Sequence, residues 1–405
     1  MDCINLKPRS RFRNGIILRK EEVDTPALIV DLEVLQKNIR DMAEFAKDAR
    51  VKLRPMTKTH KCPAISHLQL EAGAAGIHVA KLSEGEVMEA AGIKDIFISN
   101  QVVGAQKIDR LLRLARRAKI RIAVDSVENA REISNLAEAR GMKIDTLLDI
   151  DTGIKRTGVL PKEPALELTR EVVKLPGLNL MGIYTHEGVV YRARNKEELQ
   201  EVATRSARDM VETADLLRKN GIGIEEVSLG STPGAKITAK VKGVTEIRPG
   251  AYVFNDTQQY GLGICTEKDF AATVLMTVIS VPTEDRAICD AGSKAAGPDS
   301  CTFGTFTPPN TPPIEARKKD PTTGLGLIRT LDGEILWDVI FDSKVGEEYG
   351  LLRSKRCREL FKVGDKVELI PIHCCGTVFL YDEIVGIRND EVEVIWPISA
   401  RGKVS

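Results

Sequence analysis

From about residue 50 the chain repeats one unit: a short run rich in β-branched residues, a turn ending on a polar residue, then a segment with apolar positions at three- and four-residue steps. The runs are VKLRPMTK (51–58), IHVAK (77–81), DIFISN (95–100), RIAVDS (121–126), TLLDID (146–151), LMGIYTH (180–186), EEVSLG (225–230) and VTEIRPG (244–250). Apolar runs alternating with amphipathic stretches predict parallel strands joined by crossover helices. Eight such runs predict an α/β fold of the (β/α)8 TIM-barrel type rather than an open doubly wound sheet. Helices are expected over 83–91, 108–118, 127–140, 163–173 and 196–219. The first of these opens on a Ser83/Glu86 capping-box pattern.

After about residue 258 the rhythm changes to strands without long helices between them: AATVLMTVISVP, RAICDAG, EILWDVIFDS, KVELIPIHCC and EIVGIRNDEVEVIW. This predicts a C-terminal antiparallel β domain. The expected division is a barrel over 33–258 and a β domain over 259–405, with residues 1–32, including an early strand at 27–31, packing with the latter. The Pro-, Thr- and Gly-rich stretch 300–324 is expected to be a long surface loop reaching over a site.

A chain of 405 residues is long enough for two domains. Lys+Arg number 59 against 58 Asp+Glu, so a net charge of +1 gives no reason to expect nucleic acid or an anionic membrane, and a small-molecule partner is expected. The longest apolar run, 270–281, is too short to cross a bilayer. Eight scattered cysteines and no apolar leader after the first charges suit a reduced, cytoplasmic setting. Gly261-Leu262-Gly263 is too weak a pattern for a dinucleotide site, and no Walker, serine-nucleophile or HExxH motif occurs.

Candidate chemistry gathers at the ends of the runs, where barrels place reacting groups. Lys58 ends the first, with Lys52 and Lys61 as rival lysines. Arg156 follows the fifth and Arg248 ends the eighth; each reads otherwise as a surface ion-pair partner. Gly230, Ser231 and Thr232, in the GSTPG turn after the seventh, stand where barrels commonly bind phosphate, although such a cluster is by itself also an ordinary turn. Tyr252, Asn255 and Asp256 follow the eighth run, and His186 ends the sixth. On a strand, the two-residue period would aim His373 and Cys375 at one face and Cys374 at the other. An imidazole beside a thiolate suits zinc, whereas an isolated His-x-Cys also reads as two buried strand residues.

TPALIVDLEVLQKNIRDM followed by RPMTKTHK, then KLSEGEVMEAAGIKDIFISN, DIDTGIKRTGV, GSTPGAK, EIRPGAYVFND, CDAGSKAAGPDS and PIHCCGTVF, resembles the alanine-racemase-like, fold-type III pyridoxal phosphate enzymes. Within them the chain is most similar to the branch of D-threonine aldolases and eukaryotic-type D-serine dehydratases. The resemblance implies pyridoxal 5'-phosphate as cofactor, held as a Schiff base by Lys58, which later moves protons at the substrate Cα. It further implies Arg156 at the phenolic oxygen, Arg248 at the pyridine nitrogen, His186 against the ring, and Gly230, Ser231, Thr232 and Tyr252 at the phosphate, whose cradle Asn255 and Asp256 complete. An arginine cannot accept a proton, so a pyridine beside it stays unprotonated. His373 and Cys375 are implied as ligands of a divalent metal, with zinc expected and manganese or magnesium as alternatives, in a homodimer acting on a small D-amino acid.

The function so implied is a lyase on D-3-hydroxy amino acids, first as an aldolase giving glycine and an aldehyde. The alternative is a dehydratase giving a 2-oxo acid and ammonia. A histidine that some aldolases carry a few residues after the position of His186 is absent here. The competing classes are an amino-acid racemase, whose β-domain tyrosine motif is not recognisable, and a non-catalytic cofactor-binding protein, against which the long segment beyond the barrel argues.

Overall fold

The computed structural model describes residues 18–297, 299, 325–343 and 345–405, so the expected loop over 300–324 lies outside the described residues. Two compact units are present: one holds the residues up to Asn38 with Ala251–Arg401, the other Ile39–Gly250 with Gly402–Ser405. The strand β1 (Ala27–Asp31) belongs to the first, the next eight strands to the second, and the strands after Ala251 again to the first.

The second unit is the barrel. Its strands are β2 (Lys52–Leu53), β3 (Ile77–Val79), β4 (Asp95–Ile98), β5 (Lys119–Val124), β6 (Ile144–Asp149), β7 (Leu178–Thr185), β8 (Glu226–Leu229) and β9 (Glu246–Ile247), one from each predicted run. They pair in parallel in the order β2-β9-β8-β7-β6-β5-β4-β3. A bridge between Met56 and His78, with the His78 amide 2.8 Å from the Pro55 carbonyl, links the two ends. Strands covered on both faces must be apolar throughout, and Ile96, Phe97 and Ile98 in β4 and Ile122, Ala123 and Val124 in β5 are fully buried.

The long helix Lys196–Lys219 has its predicted bounds, with Asn195 accepting the Glu198 amide as its cap. The Ser83/Glu86 capping box does not form. The helix Leu82–Ala90 starts at Lys81, where Glu84 Oε2 accepts the Ala80 and Lys81 amides at 2.7 and 2.9 Å. Glu86 pairs instead with Arg110. Where β4, β8 and β9 begin, charges compensate one another: Arg54 Nε donates to Glu246 at 2.8 Å, Arg121 Nη1 donates to Asp95 at 2.7 Å, and Arg121 Nη2 lies 3.4 Å from Glu226. The opposite, C-terminal ends of the strands are thereby left for chemistry.

The first unit is a mostly antiparallel sheet: β10 (Ala272–Thr283), β11 (Arg286–Cys289), β12 (Gly326–Thr330), β13 (Ile340–Asp342), β14 (Gly350–Arg353), β15 (Lys366–Pro371), β16 (Glu383–Arg388) and β17 (Glu391–Pro397). β1 pairs antiparallel with β10 and parallel with β16. The short strands β12 and β14 carry no pattern that stood out in the sequence. β15 stops at Pro371, so the expectation that His373 and Cys375 share a strand face fails: His373 caps a short helix, Cys374–Val378. No helix among the described residues is long and apolar enough to cross a membrane, and the six described cysteines are all free thiols.

Candidate active site

Beyond β2 the chain turns through a 3-10 element, Thr57–Thr59, that sets Lys58 at the C-terminal end of the barrel. The turn is fixed by the Met56 amide on Pro249 O at 2.9 Å and by Thr57 Oγ1 donating to His78 O at 3.1 Å. Gly250 is needed behind it, because a Cβ there would lie 2.9 Å from Thr59 Oγ1. The rival lysines are committed: Lys52 is exposed and 3.8 Å from Glu226, and Lys61 is buried in an ion pair with Glu84. Among the described residues the Lys58 side chain makes no hydrogen bond or ion pair, and its charge bears on His78 and His186. His60 faces other work, its ring nitrogens meeting the Cys62 amide at 3.1 Å and Gln69 Oε1 at 3.3 Å.

Arg248, from the residue after β9, is buried between aromatic rings, its guanidinium carbon 5.6 Å from the Phe97 centroid and 5.0 Å from that of Tyr184. Nε donates to Ser228 Oγ at 2.7 Å, Nη2 to the carbonyls of Thr185 and Ser228, and Nη1 to His78 Nδ1 at 3.3 Å. A guanidinium has five N–H groups; these bonds leave one, on Nη1. That edge is covered by Gly230, where a Cβ would fall 2.6 Å from Nη1.

His78 was not foreseen from the sequence. It stacks on Phe97 at 4.8 Å, and because Nδ1 accepts from Arg248 its proton sits on Nε2, which is buried without a partner. Burial, followed by the charges of Arg248 and Lys58, holds this imidazole well below its ordinary pKa, so it is neutral.

His186, just past β7, donates from Nδ1 to the Gly230 carbonyl, which fixes the tautomer with a lone pair on Nε2. Burial pushes its pKa down to about 3 despite that bond, and the charges of Lys58, Arg156 and Arg248 act in the same direction. The next residue, Glu187, is fully buried, and its carboxylate accepts the Gly230 amide at 2.7 Å and the Ser231 hydroxyl at 2.8 Å. Burial raises this carboxyl above its usual range. Gly234 makes the arrangement possible, since a Cβ there would stand 2.7 Å from Glu187 Oε1.

The GSTPG turn is thus built to hold an oxyanion, but two of the donors expected to serve phosphate already serve Glu187. Ser231 Oγ also caps the helix Thr232–Thr238 through the Gly234 amide, and Thr232 Oγ1 accepts the Gly250 amide at 3.2 Å. The Thr232 hydroxyl proton and the Thr232 amide are the donors left over, because Pro233 has no N–H and the Gly234 amide is taken by Ser231.

Arg156 is exposed in the loop after β6, and its charge reaches His186 and Tyr184. That loop is anchored by acids: Thr157 Oγ1 donates to Asp149 at 2.8 Å and the Gly158 amide to Asp125 at 3.2 Å. Gln101 Nε2 bridges the two carboxylates at 3.1 Å each. Burial, with Asp125 nearby, raises the Asp149 carboxyl.

In the β unit, Tyr252 is buried in the turn Ala251–Val253. Asn255 donates to the Asp269 carbonyl at 3.2 Å. Asp256 is not free for a phosphate: Oδ1 accepts the Gln259 amide at 2.9 Å and Oδ2 the Cys374 amide at 3.1 Å. The same Oδ2 lies 3.5 Å from His373 Nδ1. His373 is pushed up to about 11, first by the Cys375 sulfur and then, against the cost of burial, by Asp256. Cys374 is fully buried, and the neighbouring Cys375 sulfur and burial raise its thiol. The two expected ligands therefore do meet, through a helix cap rather than a strand.

These residues fit the groups expected of them. An uncommitted Lys58 amine and an orphaned buried His78 Nε2 suit a bonded aromatic cofactor, and the His373 imidazole beside the Cys375 sulfur suits a soft divalent ion. No group of three or more His, Cys, Asp or Glu placed to hold a metal occurs among the described residues. An ion held by these two side chains would keep its other positions open to water or substrate.

The family model for the alanine racemase N-terminal domain matches residues 30–258, and a model for a serine dehydratase domain matches 271–387. The chain is 36% identical over 385 residues to a D-threonine aldolase from Arthrobacter sp, covering 94% of this chain and 93% of the relative. It is similar to the crystal structure of D-threonine aldolase from Filomicrobium marinum, with a TM-score of 0.83 at 32% identity over 97% of this chain and 100% of the other. It is also similar to a cysteine-to-alanine mutant of D-threo-3-hydroxyaspartate dehydratase in the metal-free form, with a TM-score of 0.84 at 31% identity over 94% of this chain and 98% of the other.

Proposed function

The chain belongs to the alanine racemase N-terminal-domain family of fold-type III pyridoxal phosphate enzymes, and from that premise we propose a metal-assisted lyase that cleaves D-3-hydroxy amino acids, in the first place as a D-threonine aldolase. The observation that carries the reading is the meeting of His373 and Cys375 at the start of one short helix, an imidazole beside a thiol. A soft-metal donor set has no part to play in simple racemisation of alanine.

When bound, pyridoxal phosphate withdraws electrons from the substrate Cα, and the divalent ion, zinc before manganese or magnesium, acts as a Lewis acid toward the β-hydroxyl. Lys58 would supply the amine that bonds the cofactor and, when freed by the substrate amine, would move the proton at Cα, returning one there after Cα–Cβ cleavage and removing one in the elimination. Arg248 keeps a cation in the barrel that cannot take up a proton, and Arg156 holds a second at the mouth. His186 offers a neutral Nε2 lone pair, the group available here to take the hydroxyl proton for Cα–Cβ cleavage. Of the proposed phosphate contacts Gly230, Ser231, Thr232 and Tyr252, the first two have an amide and a hydroxyl engaged by Glu187 and shape the turn, which leaves Thr232 as its donor. The enzyme is proposed to work in the cytoplasm as a homodimer.

The elimination reading, a D-serine dehydratase, uses Lys58 at Cα and the same metal at the leaving hydroxide. It gains from the serine dehydratase domain match. Product analysis of the cofactor-loaded protein on D-threonine, D-serine and D-3-hydroxyaspartate decides between them. Glycine with an aldehyde supports the aldolase, and a 2-oxo acid with ammonia the dehydratase. Chelation is expected to abolish either activity, added zinc or manganese to restore it, and Cys375→Ala, unlike Cys374→Ala, to behave as the chelated enzyme. Full turnover without metal, or turnover of alanine enantiomers alone, sinks the lyase reading.

A further inference from the structure

Two segments of the β unit that are far apart in sequence are zipped together beside His373. The Thr257 hydroxyl donates to Pro371 O at 3.2 Å, the Gln258 amide to Ile372 O at 3.2 Å, and the Cys374 amide to Asp256 Oδ2 at 3.1 Å. Asp256 begins one helix, Thr257–Gly261, as its cap, and His373 begins another, Cys374–Val378. The result is a fully buried carboxylate whose Oδ2 stands 3.5 Å from His373 Nδ1, while the imidazole keeps 32% of its side-chain surface open. Nδ1 is the buried edge of the ring, and Asp256 is the carboxylate that faces it.

We propose that Asp256 is the positioning residue of the metal centre: its carboxylate accepts a hydrogen bond from Nδ1–H of His373 and so presents Nε2 as the nitrogen that ligates the divalent ion. This rests on the reading of His373 and Cys375 as metal ligands. The physical reason is that a ligating imidazole needs its second nitrogen fixed, and a carboxylate there sets the tautomer, holds the ring plane and raises ligand basicity. Asp256 is better suited to that than to direct ligation. Its two oxygens already accept the Gln259 and Cys374 amides, which hold it in place and partly spend its charge. A shortening of a few tenths of an ångström as the ring swings to a metal converts the 3.5 Å approach into a hydrogen bond.

The test uses the pyridoxal phosphate-loaded protein stripped of metal by a chelator, with zinc affinity read by competition against a chromophoric chelator. Asp256→Asn and Asp256→Ser both keep a cap acceptor for the Gln259 amide but carry no charge. The expected result is a zinc affinity lowered by about 10- to 100-fold in both, with circular dichroism and thermal midpoint retained. A capping role alone predicts wild-type affinity in both variants, and that result overturns the proposal. Should either variant fail to fold, the wild type decides. In protein labelled with 15N-histidine, zinc is expected to shift Nε2 of His373 as the bound nitrogen and to leave Nδ1 protonated; zinc on Nδ1 refutes the assignment. If the wild type binds no zinc, the metal reading itself fails, a result distinct from either outcome for Asp256.

Discussion

His186 gives a prediction whose size follows from the structure. Its folded pKa of about 3 lies below the ordinary value of 6.5 because the ring is largely desolvated and surrounded by Lys58, Arg156 and Arg248. A folded value below the unfolded one means that the stabilisation is complete above about pH 6.5 and is lost as the pH falls toward 3. At pH 5 the unfolded imidazole is protonated while the folded one is still neutral, and the linkage over that interval amounts to about 2 kcal/mol. This is an upper figure, because the ring is only partly buried by surface area and water at its open edge eases the cost of charging it.

The perturbation is His186→Gln, which removes the titrating group. The stability advantage of the wild type over this variant should shrink by up to about 2 kcal/mol between pH 7.5 and pH 5, other histidines cancelling in the difference. Urea unfolding must be followed by the helical circular dichroism signal, because both tryptophans, Trp337 and Trp396, lie in the β unit and do not report on the barrel. A constant difference across this range, or an imidazole that titrates near 6.5 by NMR, would falsify the neutral-base assignment. If it stands, the low-pH limb of the rate profile does not belong to His186.

Two further outcomes are expected. Borohydride reduction of the cofactor-loaded protein followed by peptide mapping should place the pyridoxyl label on Lys58; label on Lys52 or Lys61 contradicts the reading that ion pairs occupy those two. Gly234→Ala should gain about 1 kcal/mol of helix propensity and lose more, about 1–3 kcal/mol, by driving a methyl to within 2.7 Å of Glu187 Oε1. Its readouts are a lower thermal midpoint and faster hydrogen exchange at the Gly230 amide, and an unchanged exchange rate would mean that the carboxylate does not depend on that space.

The sequence by itself determined the eight barrel strands and the place of Lys58, His186 and Arg248 at their ends. Burial on both faces forces near-continuous apolar runs, and a strand end is a local feature of the chain. The strand β10 and the hairpin of β16 and β17 were legible for the same reason. His373 and Cys375 were legible as residue types but not as geometry. Their position depends on β15 stopping at Pro371 and on Asp256 accepting the Cys374 amide, a contact between residues 118 apart in the chain. His78 was hidden because a histidine inside an apolar run looks like any other core position until Arg248, 170 residues away, claims its Nδ1 and leaves Nε2 unpaired. Glu187 was hidden likewise, its significance resting on donors from a turn 43 and 44 residues later. Periodicity records which side of an element is buried; it carries nothing about which buried polar groups must find one another, and only the packed structure decides that.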